Sequence, residues 1–248
     1  MLYNGSHSPE FVDSTLLILN EIAVSDLGHY GSDEKRRLGF SAGIQTKRAI
    51  ELSLAEPFQI IHLVAEQLQR LDIRYYVGGS LASSYYGIPR ATQDIDIIAA
   101  IKTAQVTPLV RAFEQGFYVD EGMIRESIRN QSSFNMIHLE TMFKVDVFVW
   151  KNEPFSVEEM ARRKAWRIPD QSDRQLYFAS AEDTILQKLN WYRLGGETSE
   201  RQWHDIIGVI KVQSENLDRQ YLNKWAKSLG LSDLLAKAYK DTEPSNTP

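Results

Sequence analysis

Two aspartates alternate with isoleucines in the run Asp94-Ile95-Asp96-Ile97, and this alternation most constrains how the chain can fold. Side chains two apart on a β-strand point to the same face, about 6.6 Å apart along the strand. The run therefore predicts a strand over 94–99 with both carboxylates on one face and apolar side chains on the other. Two like charges on one face repel each other unless a cation lies between them. A hard divalent cation such as Mg²⁺, which binds carboxylate oxygens together with substrate phosphates, meets that need.

A third carboxylate, Asp146, is flanked by valines in an alternating run over 143–150. An unpaired carboxylate in the middle of such a strand is costly to desolvate. If this strand lies beside that of Asp94 and Asp96, three carboxylates converge, enough for two metal ions about 3.5–4 Å apart. The pattern thus favours a phosphoryl- or nucleotidyl-transfer site with all three aspartates as metal ligands.

A glycine turn, Gly78-Gly79-Ser80, follows a short β-rich piece over 75–77 and leads into a predicted helix over 80–86. Glycines at a strand-to-helix junction let the backbone approach a phosphate, and the positive end of the helix favours its charge. The Ser80 hydroxyl can donate a further hydrogen bond. The turn is therefore a candidate binding site for the phosphates of a nucleotide.

The glycine turn, the short helix, the run from Arg90 to Ile97 and the Val-Asp-Val strand together resemble the nucleotidyltransferase superfamily that includes DNA polymerase beta. The branch most similar to this chain contains the minimal and the AbiEii-like nucleotidyltransferases, and the resemblance covers residues 57–212. It implies that Gly79 and Ser80 hold the triphosphate and that Asp94 and Asp96 ligate both metals. It also implies that Asp146 completes the site and activates the attacking hydroxyl.

The resemblance extends to a predicted helix bearing Lys188 and a later one with Arg201 and Asp205. It implies that Lys188 reaches the nucleotide phosphates and that Arg201 and Asp205 shape the same cleft. The chain departs from the family pattern here, because Gln202-Trp203-His204 stands before the aspartate where relatives pair an arginine with it. From spacing alone, Arg201 and Asp205 stand at i and i+4 and equally predict an ordinary helix ion pair.

Two interpretations remain for several other residues. Gly78 and Arg90 join the predicted nucleotide-binding set, although Arg90 can instead pair with a neighbouring carboxylate. Trp191, Tyr192 and Trp203 lie at helical spacings, which favours a place in the core over a platform for base stacking.

Strands precede residue 150 and helices dominate after it, which predicts an α+β fold. We expect a nucleotidyltransferase-fold mixed sheet with flanking helices, followed by a helical C-terminal part. The predicted division is an N-terminal extension over 1–52, helical or loosely ordered, a core over 53–152, a helical region over 153–240 and a disordered tail over 241–248.

Local signals predict several further elements. Ser53 and Glu56 have capping-box spacing, and Pro57 suits a first helical turn, so a helix is expected to begin there. A hairpin is expected from strands over 134–140 and 143–150. The remaining predicted helices cover 11–24, 108–115, 157–166, 181–194, 199–212, 217–229 and 231–239.

Composition excludes several function classes. The 248 residues include no cysteine, so there is no disulfide, thiolate zinc site or cysteine nucleophile. With 28 basic and 33 acidic residues the formal charge is -5, so no general attraction to nucleic acid or an anionic membrane is implied, and no DNA-binding motif is seen. No apolar run is long enough for a membrane helix, and the N-terminus lacks the pattern of a secretory signal. We expect a soluble, cytoplasmic protein.

Three hypotheses remain open. The first is a Mg²⁺-dependent nucleotidyltransferase, for which Mn²⁺ can substitute, that moves a nucleoside monophosphate from an NTP to a hydroxyl on RNA, protein or a small molecule. An AbiEii-like toxin restrained by an antitoxin is one form of it. The second is a catalytically inactive nucleotide-binding protein on the same fold. The third is an interaction protein whose helical C-terminal part is the working surface.

Overall fold

The structure is a computed structural model, and it describes residues 44–167 and 175–243. The helix predicted over 11–24 and the last part of the predicted tail, 244–248, lie outside these residues. No helix among the described residues is both long and apolar enough to cross a membrane.

Seven strands of the described residues form one mixed sheet: β1 (Tyr75–Val77), β2 (Asp94–Ala99), β3 (Phe117–Tyr118), β4 (Ser133–His138), β5 (Lys144–Val149), β6 (Lys164–Arg167) and β7 (Gln175–Phe178). Their order across the sheet is β3-β4-β5-β2-β1-β7-β6. β2 and β5 are parallel, as are β1 and β7, and the other neighbours are antiparallel.

Nine α-helices accompany the sheet in the described ranges: α1 (Ile44–Arg70), α2 (Gly79–Tyr86), α3 (Val106–Phe113), α4 (Glu121–Asn130), α5 (Pro154–Arg162), α6 (Ala181–Leu194), α7 (Glu200–Gln213), α8 (Arg219–Ser228) and α9 (Ser232–Thr242). A mixed sheet with helices before, between and after its strands is an α+β fold, as predicted.

The alternation in β2 and β5 decides which face of the sheet is buried. Ile95, Ile97, Val145 and Val147 are almost fully buried on one face, in a core that also contains apolar side chains of α1, α3 and α4. Burying each such side chain contributes on the order of 1.5–3 kcal/mol. Because successive residues of a strand point to opposite faces, this core fixes the predicted carboxylates on the other face.

The helices α6 to α9 build a second apolar core. Leu186, Leu189, Val209, Leu222 and Leu235 are buried together in it. The helix α2 packs against α6 and α7, so the second core is joined to the sheet next to the glycine turn.

The hairpin expected from strands over 134–140 and 143–150 is confirmed as the antiparallel pair of β4 and β5. The helix predicted over 157–166 is wrong in its second half, because α5 ends at Arg162 and the next residues form β6. β6 pairs with β7, and β7 pairs with β1, almost a hundred residues earlier in the chain. Pairing between strands that are so distant in sequence cannot be detected from the local spacing of apolar residues.

The helix start predicted at Ser53 is also wrong. α1 begins at Ile44 and continues through Pro57. Proline in a helix interior removes one backbone hydrogen bond. The helical turns on both sides of Pro57 nevertheless keep this segment helical. The two-residue strand β3 was not predicted, because it is too short to show a period, and the helix α4 was not predicted either.

The helix α5 carries a buried carboxyl group, that of Glu159. Glu159 is only 4% exposed and accepts hydrogen bonds from Gln187 Nε2 at 2.8 Å and from the Tyr76 hydroxyl at 3.3 Å. Burial, followed by the charge of Asp183, raises the pKa of Glu159 from 4.5 to about 8. The carboxyl group therefore carries a proton in the folded protein at neutral pH.

We predict that Glu159 makes the protein less stable as pH rises from about 4.5 to about 8. In that window the unfolded chain gains from ionising the carboxyl group while the folded chain keeps it protonated, and each pKa unit is worth about 1.4 kcal/mol. Chemical unfolding of Glu159→Gln and wild type across this pH range measures the effect. The wild type should lose on the order of a few kcal/mol relative to the variant.

The exposed Glu153 at the start of α5 offers a control, since Glu153→Gln should leave the pH profile of stability unchanged. A Glu159→Gln profile parallel to that of the wild type would show that Glu159 is ionised in the folded state.

Candidate active site

The register of β2 and β5 brings the predicted carboxylates to one place. Asp96 lies directly opposite Asp146, and Asp94 lies opposite Lys144, in the parallel pair. All three aspartates therefore share the face of the sheet that the apolar core leaves free. The strand pairing on which the expected convergence depends is therefore present in the fold.

The glycine turn lies directly on Asp96. The backbone N–H of Gly78 donates to the backbone carbonyl of Asp96 at 2.9 Å, and the backbone N–H of Ser80 is close enough to the Asp96 carboxylate to act against the rise of its pKa. Gly79 has a φ of 56°, and a Cβ built on it would stand 1.8 Å from Asp96 Oδ2. Only glycine allows this contact, so the turn and the carboxylate form a single unit.

Burial raises the pKa of Asp96, and the neighbouring charge of Asp146 raises it further. The charge of Lys188 and the N–H of Ser80 act in the opposite direction. The side chain thus stands where negative charge is unfavourable unless positive charge is added.

Lys144 supplies positive charge at this place, and the sequence analysis did not select it. Its Nζ lies 2.8 Å from Asp146 Oδ2 and 3.4 Å from Asp94 Oδ1. The hydrogen bond to Asp146 is the main reason that the pKa of Lys144 is raised. The alternation of β5 already placed Lys144 on the same face as Asp146, which was the available signal.

The carboxylates fit a divalent cation in chemistry and in place. Among the described residues, however, no three His, Cys, Asp or Glu side chains are drawn together as a ready-made metal site. Asp94 and Asp146 instead form ion pairs with the Lys144 ammonium, which supplies a positive charge between them in place of a metal ion. The position therefore favours a positive charge, as a metal site requires.

A buried ion cluster lies on the other side of the glycine turn. Arg90 donates from Nε and Nη2 to the two carboxylate oxygens of Asp205, both at 2.7 Å. Lys188 Nζ lies 2.7 Å from Asp205 Oδ2. Arg90 Nη2 also donates to Ser80 Oγ at 2.7 Å, which connects the cluster to the turn. Four of the predicted nucleotide-binding residues are thus linked by hydrogen bonds.

The cluster holds two cationic side chains with one anion. Burial lowers the pKa of Lys188, although Asp205 opposes this effect. Burial works to raise the pKa of Asp205, but the hydrogen bonds and charges of Arg90 and Lys188 outweigh it, and the pKa is lowered. An excess of positive charge beside a glycine turn is suited to binding phosphate.

Arg201 is not part of this cluster. It is exposed in the first turn of α7, and Asp205 pairs with Arg90 and Lys188. Its role in shaping the cleft stays a prediction. The bidentate partner of Asp205 comes from the loop before β2, which spacing along α7 cannot reveal.

The three aromatic residues of the helical part divide into two groups. Tyr192 and Trp203 pack on each other in the second core, with ring centroids 5.0 Å apart. Trp191 is 51% exposed, and its ring centroid lies 6.1 Å from that of Phe148. Phe148 is half-buried and follows Asp146 by two residues on the same strand face, so an aromatic pair with one exposed member lies next to the carboxylates.

Solved structures similar to this chain include nucleotidyltransferase-like proteins. An antigenic nucleotidyltransferase-like protein from Paracoccidioides brasiliensis is 19% identical, with a TM-score of 0.47, over 75% of this chain and 92% of that chain. The antibiotic-resistance factor ANT(2'')-Ia is 14% identical, with a TM-score of 0.38, over 74% of this chain and 92% of that chain. The lincosamide antibiotic adenylyltransferase LnuA, bound to lincomycin, is 14% identical, with a TM-score of 0.38, over 60% of this chain and 93% of that chain.

No family model and no curated protein matches the sequence. The three TM-scores are all below 0.5, so these similarities carry no argument about what the chain binds. The AbiEii-like branch stays a prediction. Any function must therefore be argued from the geometry of the carboxylates, the turn and the ion cluster.

We predict that Gly79→Ala abolishes binding of Mg²⁺–NTP, because the added Cβ overlaps the Asp96 carboxylate and forces it away from the turn. Isothermal titration measures the binding, and chemical unfolding measures the accompanying loss of stability. Gly196 also has a positive φ, of 74°, but nothing lies near its added Cβ, so Gly196→Ala is the matched control. Both variants should lose about 1 kcal/mol from backbone strain. Equal binding of Mg²⁺–NTP by the two variants would show that the glycine turn is not part of the binding site.

We predict that Asp205→Asn lowers the free energy of unfolding by about 3–5 kcal/mol, because it leaves two poorly exposed cations without their anion. Asp233→Asn is the control. Asp233 pairs with Arg193 at the surface, where solvent screens the ion pair, so its loss should destabilise the protein far less. Urea unfolding of both variants measures the difference, and similar small losses would show that the cluster is not a structural junction.

Proposed function

We propose that this protein is a Mg²⁺-dependent nucleotidyltransferase that moves a nucleoside monophosphate from an NTP to a hydroxyl group. The observation that carries the proposal is the contact of Gly79 and Ser80 with Asp96, itself opposite Asp146. This contact joins a phosphate-binding turn to a face of carboxylates. Transfer of a nucleotidyl group requires both parts side by side.

The turn and the ion cluster would bind the β- and γ-phosphates. The Ser80 hydroxyl oxygen accepts from Arg90, which leaves its O–H to donate to a phosphate oxygen. Arg90 and Lys188 share one carboxylate, so the pair keeps a net positive charge for the phosphates. These residues would also stabilise the negative charge of the leaving pyrophosphate.

Asp94, Asp96 and Asp146 would hold the cation. Bound Mg²⁺ supplies charge neutralisation for the triphosphate, which lowers the barrier to attack at phosphorus. Burial and the charge of Asp146 both raise the pKa of Asp96, which is the electrostatic signature of carboxylates that gain from an added cation.

In this proposal Asp146 would act as the general base. The order of strands puts the glycine turn on the β1 side of Asp96 and puts Asp146 on the β5 side. In-line displacement needs the acceptor opposite the leaving group, so the acceptor hydroxyl would approach over β5, past Phe148 and Trp191. The hydroxyl oxygen forms the new bond to the α-phosphorus and gives its proton to Asp146. The bond from that phosphorus to the bridging oxygen breaks, and pyrophosphate leaves with the electron pair.

The acceptor remains open among RNA, protein and a small molecule, and a toxin restrained by an antitoxin remains one form of the proposal. The contacts of Lys144 favour a second candidate, a nucleotide-binding protein without transfer. In that protein the ammonium would permanently neutralise Asp94 and Asp146.

The decisive prediction concerns Asp146→Asn, which keeps the side-chain shape but removes the base. Transfer of label from an α-³²P NTP to RNA, to the protein itself or to a small-molecule acceptor should fall by about 10²-fold or more. NTP binding should weaken far less, because the turn and the ion cluster are intact. The assay covers all four NTPs, with Mg²⁺ and with Mn²⁺.

Asp72 provides the control, since it is exposed and has a φ of 52°, which asparagine also adopts. Asp72→Asn should transfer label at the wild-type rate. If wild type binds Mg²⁺–NTP but transfers no label to any acceptor, the second candidate is the correct one.

A further inference from the structure

Lys144 contacts two carboxylates at once, from the middle of the proposed cation site. Its Nζ is 2.8 Å from Asp146 and 3.4 Å from Asp94, and its side chain is 43% exposed. Lys144 lies two positions before Asp146 on β5, on the same strand face, and opposite Asp94 in the register with β2. The strand pairing therefore places the ammonium between these two partners.

The two other cationic side chains of the site pair with a different anion. Lys188 and Arg90 are both hydrogen-bonded to Asp205, although the charge of Lys188 also acts on Asp96. Among the described residues, Lys144 is the cation that forms ion pairs with Asp94 and Asp146.

The carboxylates of Asp94, Asp96 and Asp146 share one face of two neighbouring strands, where like charges repel one another. Asp94, Asp96 and Asp146 therefore need a positive charge when no divalent cation is bound. The lysine supplies that charge from within the chain.

We propose that Lys144 is a built-in counter-cation that a divalent metal ion must displace, so that the ammonium and the metal exclude each other between Asp94 and Asp146. This inference rests on the proposed function, because it assumes that the carboxylates bind a metal. Displacing the lysine costs free energy, so the metal alone binds weakly. The oxygens of a triphosphate supply further ligands, and metal and NTP therefore enter the site together.

The test measures Mn²⁺ binding without nucleotide, by the loss of the free Mn²⁺ signal in electron paramagnetic resonance. Wild type is compared with Lys144→Met, which keeps the length of the side chain and removes its charge. We expect Lys144→Met to bind Mn²⁺ about tenfold more tightly, the scale expected when partly exposed ion pairs no longer compete. Lys151→Met is the matched control, because Lys151 is exposed just beyond the end of β5, and it should bind as wild type does.

A second variant, Lys144→Gln, guards against an effect of methionine on folding, and circular dichroism checks each protein. The measurement is repeated with a non-hydrolysable NTP analogue. There the difference between wild type and Lys144→Met should shrink, since the triphosphate helps the metal to displace the lysine.

The outcomes separate this inference from the function on which it rests. If wild type and both Lys144 variants bind Mn²⁺ equally, while Asp94→Asn loses it, the metal site stands and the counter-cation is overturned. Tighter binding by wild type than by the Lys144 variants also overturns it. If none of these proteins binds Mn²⁺, with or without nucleotide, the metal site fails, and the counter-cation fails with it.

Discussion

The parallel pairing of β2 with β5 sets Asp96 opposite Asp146, and the arrangement of the site depends on this register. A slip of one residue would turn the aspartates toward the apolar core and the isoleucines toward the cleft. The buried faces of both strands prevent such a slip, because Ile95, Ile97 and Val147 have no other place to pack. The hydrophobic core thus holds three like charges together, at an electrostatic cost that Lys144 partly offsets.

Asp205 joins the two parts of the fold, the sheet and the second apolar core of α6 to α9. It belongs to α7 in the second core, yet it accepts hydrogen bonds from Arg90, in the loop that precedes β2. Lys188 of α6 completes the cluster, and Ser80 ties it to the glycine turn. The proposed phosphate site is therefore formed by both parts together, and neither part contains it alone.

Much of this site could be predicted from short patterns. The alternation around Asp94, Asp96 and Asp146 fixes which face each side chain takes, and period 2 is a local property. Gly79 was recognisable because a glycine between a strand and a helix has few other uses. The structure adds the reason, which is that its missing Cβ makes room for Asp96.

What could not be predicted depends on contacts between distant segments. The spacing of α7 offered Arg201 as the partner of Asp205, but the actual partners come from the loop before β2 and from α6. β7 was missed for the same reason, since its pairing with β1 spans a long stretch of chain, and β6 in turn pairs with β7. Lys144 was visible on the correct face, but one charged residue on a strand is usually solvated, and only the register with Asp94 distinguishes it.

The sheet order has a consequence for how the protein is made. β1 pairs with β2 along one edge and with β7 along the other. The second edge of β1, at Val77, is therefore covered only when Phe178 of β7 has been synthesised. Because domains form during synthesis from the N-terminal side, the growing chain exposes this edge until β7 has left the ribosome. Arg90 gains its ion-pair partner Asp205 later still, because Asp205 follows β7 in the chain. The nascent chain therefore completes the proposed phosphate site after its sheet, and an incomplete chain holds the carboxylates without the ion cluster of Arg90, Lys188 and Asp205 beside them.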